Sequence, residues 1–393
     1  MGCPSIQLAH IRIPAFKFKV DAVLPIRQLG CEFVEIAELS QQVPRHFLKL
    51  GCGSLEGICD TTFQVKEWNP PNLEEPDGEL DIGADFNGFG RIIKLHKDDT
   101  ERPVYGIDAS NICLGETGEG ILWAFRGVIV WREDGEYRYV RHGPFIFHVT
   151  EGNKGALYNT LHQLYFDSDR WVSAPTVDRM GNRIRDVLER WLQKQVCLSS
   201  RGALILWDGS LTTRTVNSPI SVLNDLLRAA RERLNTVLAF SKKTAITVSG
   251  RRVNDLLDDR DTPCLLDIDE SARSRYSNQL HFFGRIYASK LAPSHFTFRM
   301  DIDRGIPFEE GIGAVQILLG NDLIVENYPE TLRLAHILSR FSEGEVIGMQ
   351  RYVADNYGLK VIYRLDVRQV LFGPYGGFSP MRKGVTPDYD AGL

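Results

Sequence analysis

Long apolar runs are absent from this 393-residue sequence, although 43% of its residues are hydrophobic. No run approaches the roughly 18–20 residues that a membrane-spanning helix needs, so we predict a protein without a membrane segment. The first residues, MGCPSIQLAHIRIPAF, lack the basic start and long apolar stretch of a secretory signal. We therefore expect a cytoplasmic location.

Cysteine is scarce and follows no metal-binding or disulfide pattern. The chain has 7 cysteines, which is an odd number, and none of them forms a CxxC pair. This pattern argues against a disulfide framework and against a zinc site, and it agrees with a reducing cytoplasm.

Nucleotide-binding motifs are missing as well. The sequence has neither GxxxxGKS nor GxxxxGKT, so we do not expect ATP hydrolysis by a P-loop. The net charge of −5 argues against broad coating of nucleic acid, which depends on many Lys and Arg residues. It leaves open an enzyme that has a local basic groove beside acidic metal ligands.

A strand, a hairpin and alternating helices and strands follow one another in the middle of the chain. VYGID predicts a short buried strand, and residues 119–150 predict strands joined by an Asp-Gly turn. Helical spacing over 178–196 precedes the strand ALILWD, and a helix from Ser218-Pro219 to Leu234 precedes a strand over 236–240. This order predicts an α/β fold with a ribonuclease H-like mixed sheet flanked by helices.

The flanking segments give weaker signals. Residues 67–103 contain the stretches NPPNLEEPDGELD and KLHKDDTERP, which are typical of surface loops, and residues 250–278 predict a charged, helical or irregular stretch. We expect strands in HFFGRIYA, HFTFRMDI and VIYRLDVRQVLF, and helices over 329–338 and 344–357. We divide the chain into an N-terminal extension that packs on or precedes the core (1–100), a core domain (101–373) and a mobile C-terminal tail (374–393).

Acidic side chains occur where a divalent metal could use them. Asp108 and Asp208 each end an apolar run that predicts a buried strand, and Glu189 lies on the helix between them. Such carboxylates can form an oxygen-lined site for Mg²⁺ or Mn²⁺. Two ions, typically about 3.5–4 Å apart, suit phosphodiester hydrolysis, and Asp108 would be the central ligand. Asp186 is a rival for the role of Glu189, and spacing alone does not choose between them.

Five segments together resemble one known family. VYGIDAS, the helix that carries Glu189, LILWDGSL, AFSKK and NYPETLRLAH occur in this order. The ordered set is similar to the NurA nucleases of archaea and bacteria. The resemblance implies a ribonuclease H-like nuclease domain over 101–373 and Mn²⁺-dependent cleavage of DNA in end resection for double-strand break repair. It also implies a homodimer that works with a hexameric HerA-type ATPase.

The resemblance implies roles for individual residues. Asp108 and Asp208 match the two strand aspartates of the family, and the gap before the second one selects Glu189 over its rival. Tyr328 and His336 match a C-terminal pair, which eight helical steps can direct toward one groove. On this basis Asp108, Glu189, Asp208 and His336 bind metal. His336 could instead move a proton, and Tyr328 would orient phosphate or water.

Two further positions follow from the same comparison. Ser241 and Lys242 come just after a predicted strand, and the resemblance supports them as contacts to the substrate phosphate. Arg299, in FRMDI, is another candidate for this cleft. Ala109 departs from the family, where glycine is usual, and we expect the metal site to survive unless this position needs a positive φ.

Two other functions remain open. Ala109 would suit a non-catalytic adaptor of ribonuclease H-like fold, which binds nucleic acid or the ATPase without cutting. The other class is a hydrolase that uses paired carboxylates on a sugar, for which the 6 Trp residues could provide a platform. Four of them, Trp123, Trp131, Trp191 and Trp207, fall in predicted core elements, which disfavours this class.

Overall fold

The computed structural model describes residues 45–58, 61–66, 85–86, 90–166, 172–213, 220–242, 244, 246–248, 250–257, 260–269 and 281–362. The described helices are α1 (Arg45–Leu55), α2 (Lys154–Phe166), α3 (Val177–Ser199), α4 (Ile220–Glu232), α5 (Phe308–Asn321), α6 (Glu330–Ser339) and α7 (Glu343–Tyr357), with a 3-10 turn at Val253–Asp255. The described strands are β1 (Thr62–Val65), β2 (Asp85–Phe86), β3 (Ile92–Lys94), β4 (Val104–Thr117), β5 (Gly120–Glu133), β6 (Glu136–Thr150), β7 (Leu204–Asp208), β8 (Thr212–Thr213), β9 (Thr236–Ser241), β10 (Thr247–Val248), β11 (Arg251–Arg252), β12 (Cys264–Asp267), β13 (His281–Phe282), β14 (Gly284–Lys290), β15 (Phe298–Asp303), β16 (Ile324–Val325), β17 (Tyr328–Pro329) and β18 (Lys360–Ile362).

One mixed sheet of 11 strands organises the described chain. Its main path runs β18, β1, β4, β7, β9, β15, β14, β12 and β3, and β5 and β6 continue from β4 as an antiparallel meander. β7 lies parallel to both β4 and β9. The series β6-β5-β4-β7-β9, in which α3 precedes β7 and α4 precedes β9, confirms the predicted ribonuclease H-like sheet.

The sheet extends beyond this series on both sides. β15, β14, β12 and β3 add antiparallel pairs next to β9. On the other side, β1 pairs antiparallel with the last part of β4 and parallel with β18. The strands β1 and β3 from residues 45–100 therefore share one sheet with the core, whereas β2 pairs with β10 in a separate sheet.

Alternation of side chains gives the sheet two apolar faces. In β7, Ile205 and Trp207 pack with α3 and α4, whereas Leu204 and Leu206 pack with α5 and α6. Because helices cover both faces, the central parallel strands are apolar along their length. None of the described helices is long and apolar enough to cross a bilayer.

Most predicted elements are confirmed. Asp134 and Gly135 form the β5–β6 turn with φ values of 52° and 78°, as the Asp-Gly signal indicates. The predicted helices and strands occur as α3, β7, α4, β9, α6 and α7. Ser218-Pro219, most of the expected last strand and the tail from residue 374 lie outside the described residues.

Three sequence-based expectations are wrong. The strand of Asp108 does not end there, because β4 continues to Thr117 through its pairing with β5. The stretch 250–278 contains β12, which pairs with β14 and β3 inside the sheet. The helix α4 ends before Leu234, which has a φ of 58° and is 64% exposed, because the N–H of Asn235 turns back to the carbonyl of Ala230.

Two histidines are buried against aromatic rings. His142 packs edge-on against Trp191 with ring centroids 5.9 Å apart, and His162 lies against Tyr158 and Phe166 at 4.4 and 4.9 Å. Burial lowers the pKa of each imidazole from 6.5 to about 4. The folded protein therefore keeps both rings neutral at pH values where the unfolded chain protonates them.

We expect these histidines to reduce the free energy of unfolding as the pH falls from about 6.5 to about 4. In this window the unfolded chain gains protons that the folded chain does not, so unfolding becomes more favourable. Urea denaturation at about pH 7.5 and pH 5 should show a contribution of about 1–2 kcal/mol per histidine. The variant His162→Phe should remove its share, while His295→Gln, at an exposed position, should keep the parental pH dependence. An unchanged pH dependence in His162→Phe would contradict a buried neutral ring.

Helix α6 lies directly on β4 at Gly106. A Cβ atom on Gly106 would lie 2.8 Å from the carbonyl oxygen of Thr331 and 3.0 Å from the Cα of Leu332. These are backbone atoms of α6, which cannot move aside as the end of a flexible side chain can. Glycine at this position therefore sets the distance between helix and sheet.

The variant Gly106→Ala should lower the free energy of unfolding by about 1–3 kcal/mol, because the helix has to shift away from the sheet. Gly313→Ala in α5 is the matched control, since a Cβ atom there meets nothing within 4 Å. The control should leave stability unchanged or raise it by up to about 1 kcal/mol. Chemical denaturation of both variants checks this expectation, and equal stabilities would rule out the close approach of α6.

Candidate metal centre

Asp108 and Asp208 lie on the same face of the sheet, under α6. In β4 the alternation that buries Ile107 on the α3 side directs Asp108 to the other side. In β7 the same alternation places Asp208 on the side of Leu206, which packs with α5 and α6. The two strands are parallel neighbours, and the last pair in their register is Ile107 with Trp207. The next residue of each strand is the aspartate, so the two aspartates lie side by side.

His336 and Ser339 of α6 hold Asp108. The Nδ1 atom of His336 lies 3.0 Å from Asp108 Oδ2, and the hydroxyl of Ser339 donates to the same oxygen at 2.8 Å. Their spacing of three residues puts both side chains on one side of the helix. His336 Nδ1 also lies 4.0 Å from Asp208 Oδ2, so the imidazole faces both carboxylates.

Lys242 neutralises Asp208. Its Nζ donates to Asp208 Oδ2 at 2.6 Å and lies 5.2 Å from the centre of the Tyr328 ring. The sheet positions it, because Lys242 follows the last residue of β9 and Asp208 pairs with Phe240 of that strand. The lysine side chain is 30% exposed, so it lies between the buried carboxylates and solvent.

The hydrogen bonds of His336 assign its tautomer. Arg340 Nε donates to His336 Nε2 at 3.2 Å, so Nε2 is an acceptor and the ring proton is on Nδ1. Nδ1 then donates to Asp108. In this tautomer the ring nitrogen nearest the carboxylates has to lose its proton before it can serve as a metal ligand.

The surroundings keep Asp108 ionised although it is only 8% exposed. Burial raises the pKa of this carboxyl. The contact with His336, the charge of Lys242 and the hydroxyl of Ser339 outweigh burial and bring that pKa below its usual value. Asp108 is therefore negative at neutral pH.

Glu189 belongs to a helix on the opposite face of the sheet. Gln193 Nε2 donates to its carboxylate at 3.1 Å. Burial raises the pKa of Glu189 well above its usual value, the negative charge of Asp108 raises it further, and Arg190 and Arg185 lower it. The two acids therefore act on each other electrostatically although they come from different layers.

The edge of β4 beside Asp108 changes its strand partner. The pairing of β4 with β7 ends at Ile107, and its pairing with β1 begins at Gly115. Between these points no described strand pairs with this edge of β4, so the sheet is open beside Asp108.

Asp186, the rival of Glu189, forms an ion pair with Arg185 at 2.9 Å.

Three ligand atoms converge at this point. One atom each from Asp108, Asp208 and His336 lies within 4.8 Å of the others, and within the described ranges no other set of three or more such residues does so. Two carboxylates and an imidazole form a donor set that fits a divalent ion such as Mn²⁺. Glu189 is outside this set, and its assignment as a ligand stays a prediction.

The other predicted site residues lie around the centre. Tyr328 is buried in β17, and its ring packs edge-on against phenylalanines of β9 and β15. Ser241 is the buried last residue of β9. The expectation that Arg299 faces an open cleft is wrong, because its side chain is 1% exposed and pairs with Asp301 at 2.8 Å.

Ala109 fits its position without strain. It is buried in β4, where it pairs with Gly127, and its φ is not positive. Its side chain joins the apolar cluster on the α3 side, on the face opposite to Asp108. The alanine therefore leaves the carboxylates in place.

Two residues of the centre, Ser339 and Arg340, were not found by sequence analysis. They lie three and four positions after His336, at the end of the helix that the sequence predicts. A search for polar side chains on the helical face of His336 would have identified them.

Comparisons with known proteins give little further information. No family model and no curated protein matches the chain. The solved structure of endonuclease V from Bacillus subtilis aligns with 68% of this chain and 88% of its own, at 13% sequence identity and a TM-score of 0.32. A similarity at this TM-score is too weak to support a fold assignment, so the assignment depends on the strand order. The similarity to the NurA family stays a prediction.

We expect Mn²⁺ to raise the melting temperature of the protein, because an ion that binds only the folded state stabilises it by mass action. At about 100 times the dissociation constant the gain is about 2.7 kcal/mol, which corresponds to a rise of several degrees. Asp208→Asn should abolish the rise. Asp225→Asn, which alters an exposed ion pair with Arg228 in α4, should keep it. An equal rise in Asp208→Asn would place the ion elsewhere.

Proposed function

We propose that this protein is a metal-dependent nuclease that hydrolyses phosphodiester bonds in DNA. The observation that carries the proposal is the convergence of Asp108, Asp208 and His336 within 4.8 Å on adjacent parallel strands and the helix above them. Carboxylate ligands suit hard divalent ions, and the imidazole favours Mn²⁺ over Mg²⁺. When bound, such an ion activates water and stabilises charge on the leaving oxygen.

The residues of the centre have different roles in the proposed reaction. Asp108 and Asp208 bind the cation, and Ser339 fixes the orientation of Asp108 through its hydroxyl. His336 either completes the ligand set or holds a proton at Nδ1 for transfer, since this atom faces both carboxylates. Lys242 is half-buried beside Asp208 and can reach a phosphate oxygen from there.

Glu189 would serve as a further acid of the centre. Burial and the negative charge of Asp108 raise its pKa, which favours the protonated form over a second negative charge beside Asp108. A divalent ion next to it would favour the ionised form, so Glu189 could join the ligands when metal enters. The effect of the Asp108 charge on the pKa of Glu189 supports this role.

The choice of DNA and of partners depends on the ordered motifs given above. They support DNA end processing in double-strand break repair, together with a hexameric HerA-type ATPase and a second copy of the chain. The chain has no P-loop motif, so any ATP-driven movement along DNA would come from the partner.

A non-catalytic adaptor is the alternative. Only Ala109 favoured it among the motif residues, and the relaxed position of this alanine in β4 removes that support. Catalysis needs the intact set of two aspartates and a histidine, whereas an adaptor does not need it. The nuclease is therefore the better-supported proposal.

Cleavage of linear DNA in the presence of Mn²⁺ tests the proposal. Asp108→Asn and Asp208→Asn should each reduce the rate about 1,000-fold or more, because each removes a charge that holds the cation. Circular dichroism should show that both variants remain folded, and Asp225→Asn should cleave at the parental rate. Full activity in either site variant would remove the metal-centre mechanism, and an inactive parent protein that still binds DNA would favour the adaptor.

A further inference from the structure

Lys242 occupies the place where a cation would bind Asp208. Its ammonium group lies 2.6 Å from Asp208 Oδ2, and this oxygen lies 4.0 Å from the Nδ1 atom of His336. Two of the three candidate metal ligands therefore meet at an oxygen that already carries a positively charged partner. The charge of Lys242 also acts on Asp108, the third ligand.

We propose that Lys242 is an internal counter-cation of the metal centre, which a divalent ion has to displace from Asp208 and which then contacts the substrate phosphate. The inference rests on the proposed function, since it assumes that the centre binds a divalent ion. Two cations cannot share one carboxylate oxygen without strong mutual repulsion in a half-buried site. Lysine and metal therefore compete for Asp208.

The need for a counter-cation follows from the burial of the acids. Asp108 is 8% exposed, and only 13% of the Asp208 side chain is exposed, so neither carboxylate is well solvated. Paired buried carboxylates repel each other unless a positive charge lies between them. Lys242 provides this charge at Asp208 when no metal is bound.

Tyr328 offers the displaced lysine a second position. The ammonium group already lies 5.2 Å from the centre of the Tyr328 ring, within the range of a cation–π interaction. The ring cannot turn away easily, because Phe240 and Phe298 pack edge-on against it at 6.0 and 5.4 Å. The lysine can thus leave Asp208 while its charge stays over the ring and beside the centre.

This arrangement separates Lys242 from an ordinary phosphate contact. A lysine that only binds substrate would help catalysis and leave metal affinity unchanged. A lysine that competes with the ion lowers metal affinity and still helps catalysis. Substitution of a competing lysine therefore strengthens metal binding and slows turnover, whereas substitution of a pure phosphate contact slows turnover alone.

Isothermal titration of the full-length protein with MnCl₂, without DNA, tests the competition. Lys242→Met should bind Mn²⁺ about 3- to 30-fold more tightly than the parent, because the competing charge is gone while the length of the side chain is kept. Lys242→Arg retains the charge and should bind near the parental affinity. Lys97→Met, which removes a lysine from an exposed ion pair with Asp99, is the matched control and should match the parent.

The rate of DNA cleavage at saturating Mn²⁺ tests the second half of the proposal. Lys242→Met should turn over at least about 10-fold more slowly than the parent, although it holds the metal more tightly. Unchanged or weaker Mn²⁺ binding by this variant overturns the competition, and undiminished turnover overturns the contact with phosphate. Asp208→Asn separates the two proposals: if it binds Mn²⁺ as the parent does, the metal centre itself is wrong and the proposed function fails with it.

Discussion

The hydrogen bond between His336 and Asp108 exists because α6 lies directly on β4. Gly106 permits this contact, since any side chain there would meet the backbone of Thr331. From this position α6 brings His336 within 3.0 Å of Asp108 and within 4.0 Å of Asp208. The parallel pairing of β4 and β7 determines where the carboxylates lie, because it aligns the two aspartates on one face of the sheet. The centre therefore depends on one helix–strand contact and one strand–strand register.

Charge balance explains the other groups at the centre. Buried carboxylates need positive or hydrogen-bonding partners, and here each partner comes from a different element. Ser339 and His336 of α6 hydrogen-bond to Asp108, and Lys242, at the end of β9, donates to Asp208. The net charge of −5 for the chain is compatible with this arrangement, because the carboxylates are balanced by side chains next to them. The same partners that balance the carboxylates restrict how a cation can bind them.

The sequence predicts the fold better than it predicts the chemistry of the centre. Continuous apolar runs define the central strands, which are buried on both faces, and helical spacing defines α3, which is buried on one face. Asp108 was expected at a strand end, whereas β4 continues because it stays paired with β5 and gains β1 on its other edge. No local pattern reports such long-range pairing, and none shows that Arg299 is buried against Asp301 or that Lys242 contacts Asp208. These contacts arise only when distant strands meet.

Anomalous diffraction from crystals soaked in Mn²⁺ would show where the cation binds. We expect manganese peaks in contact with the carboxylates of Asp108 and Asp208, with the Lys242 ammonium moved off Asp208 toward the Tyr328 ring. Manganese bound away from both aspartates, while Lys242 stays on Asp208, would contradict it.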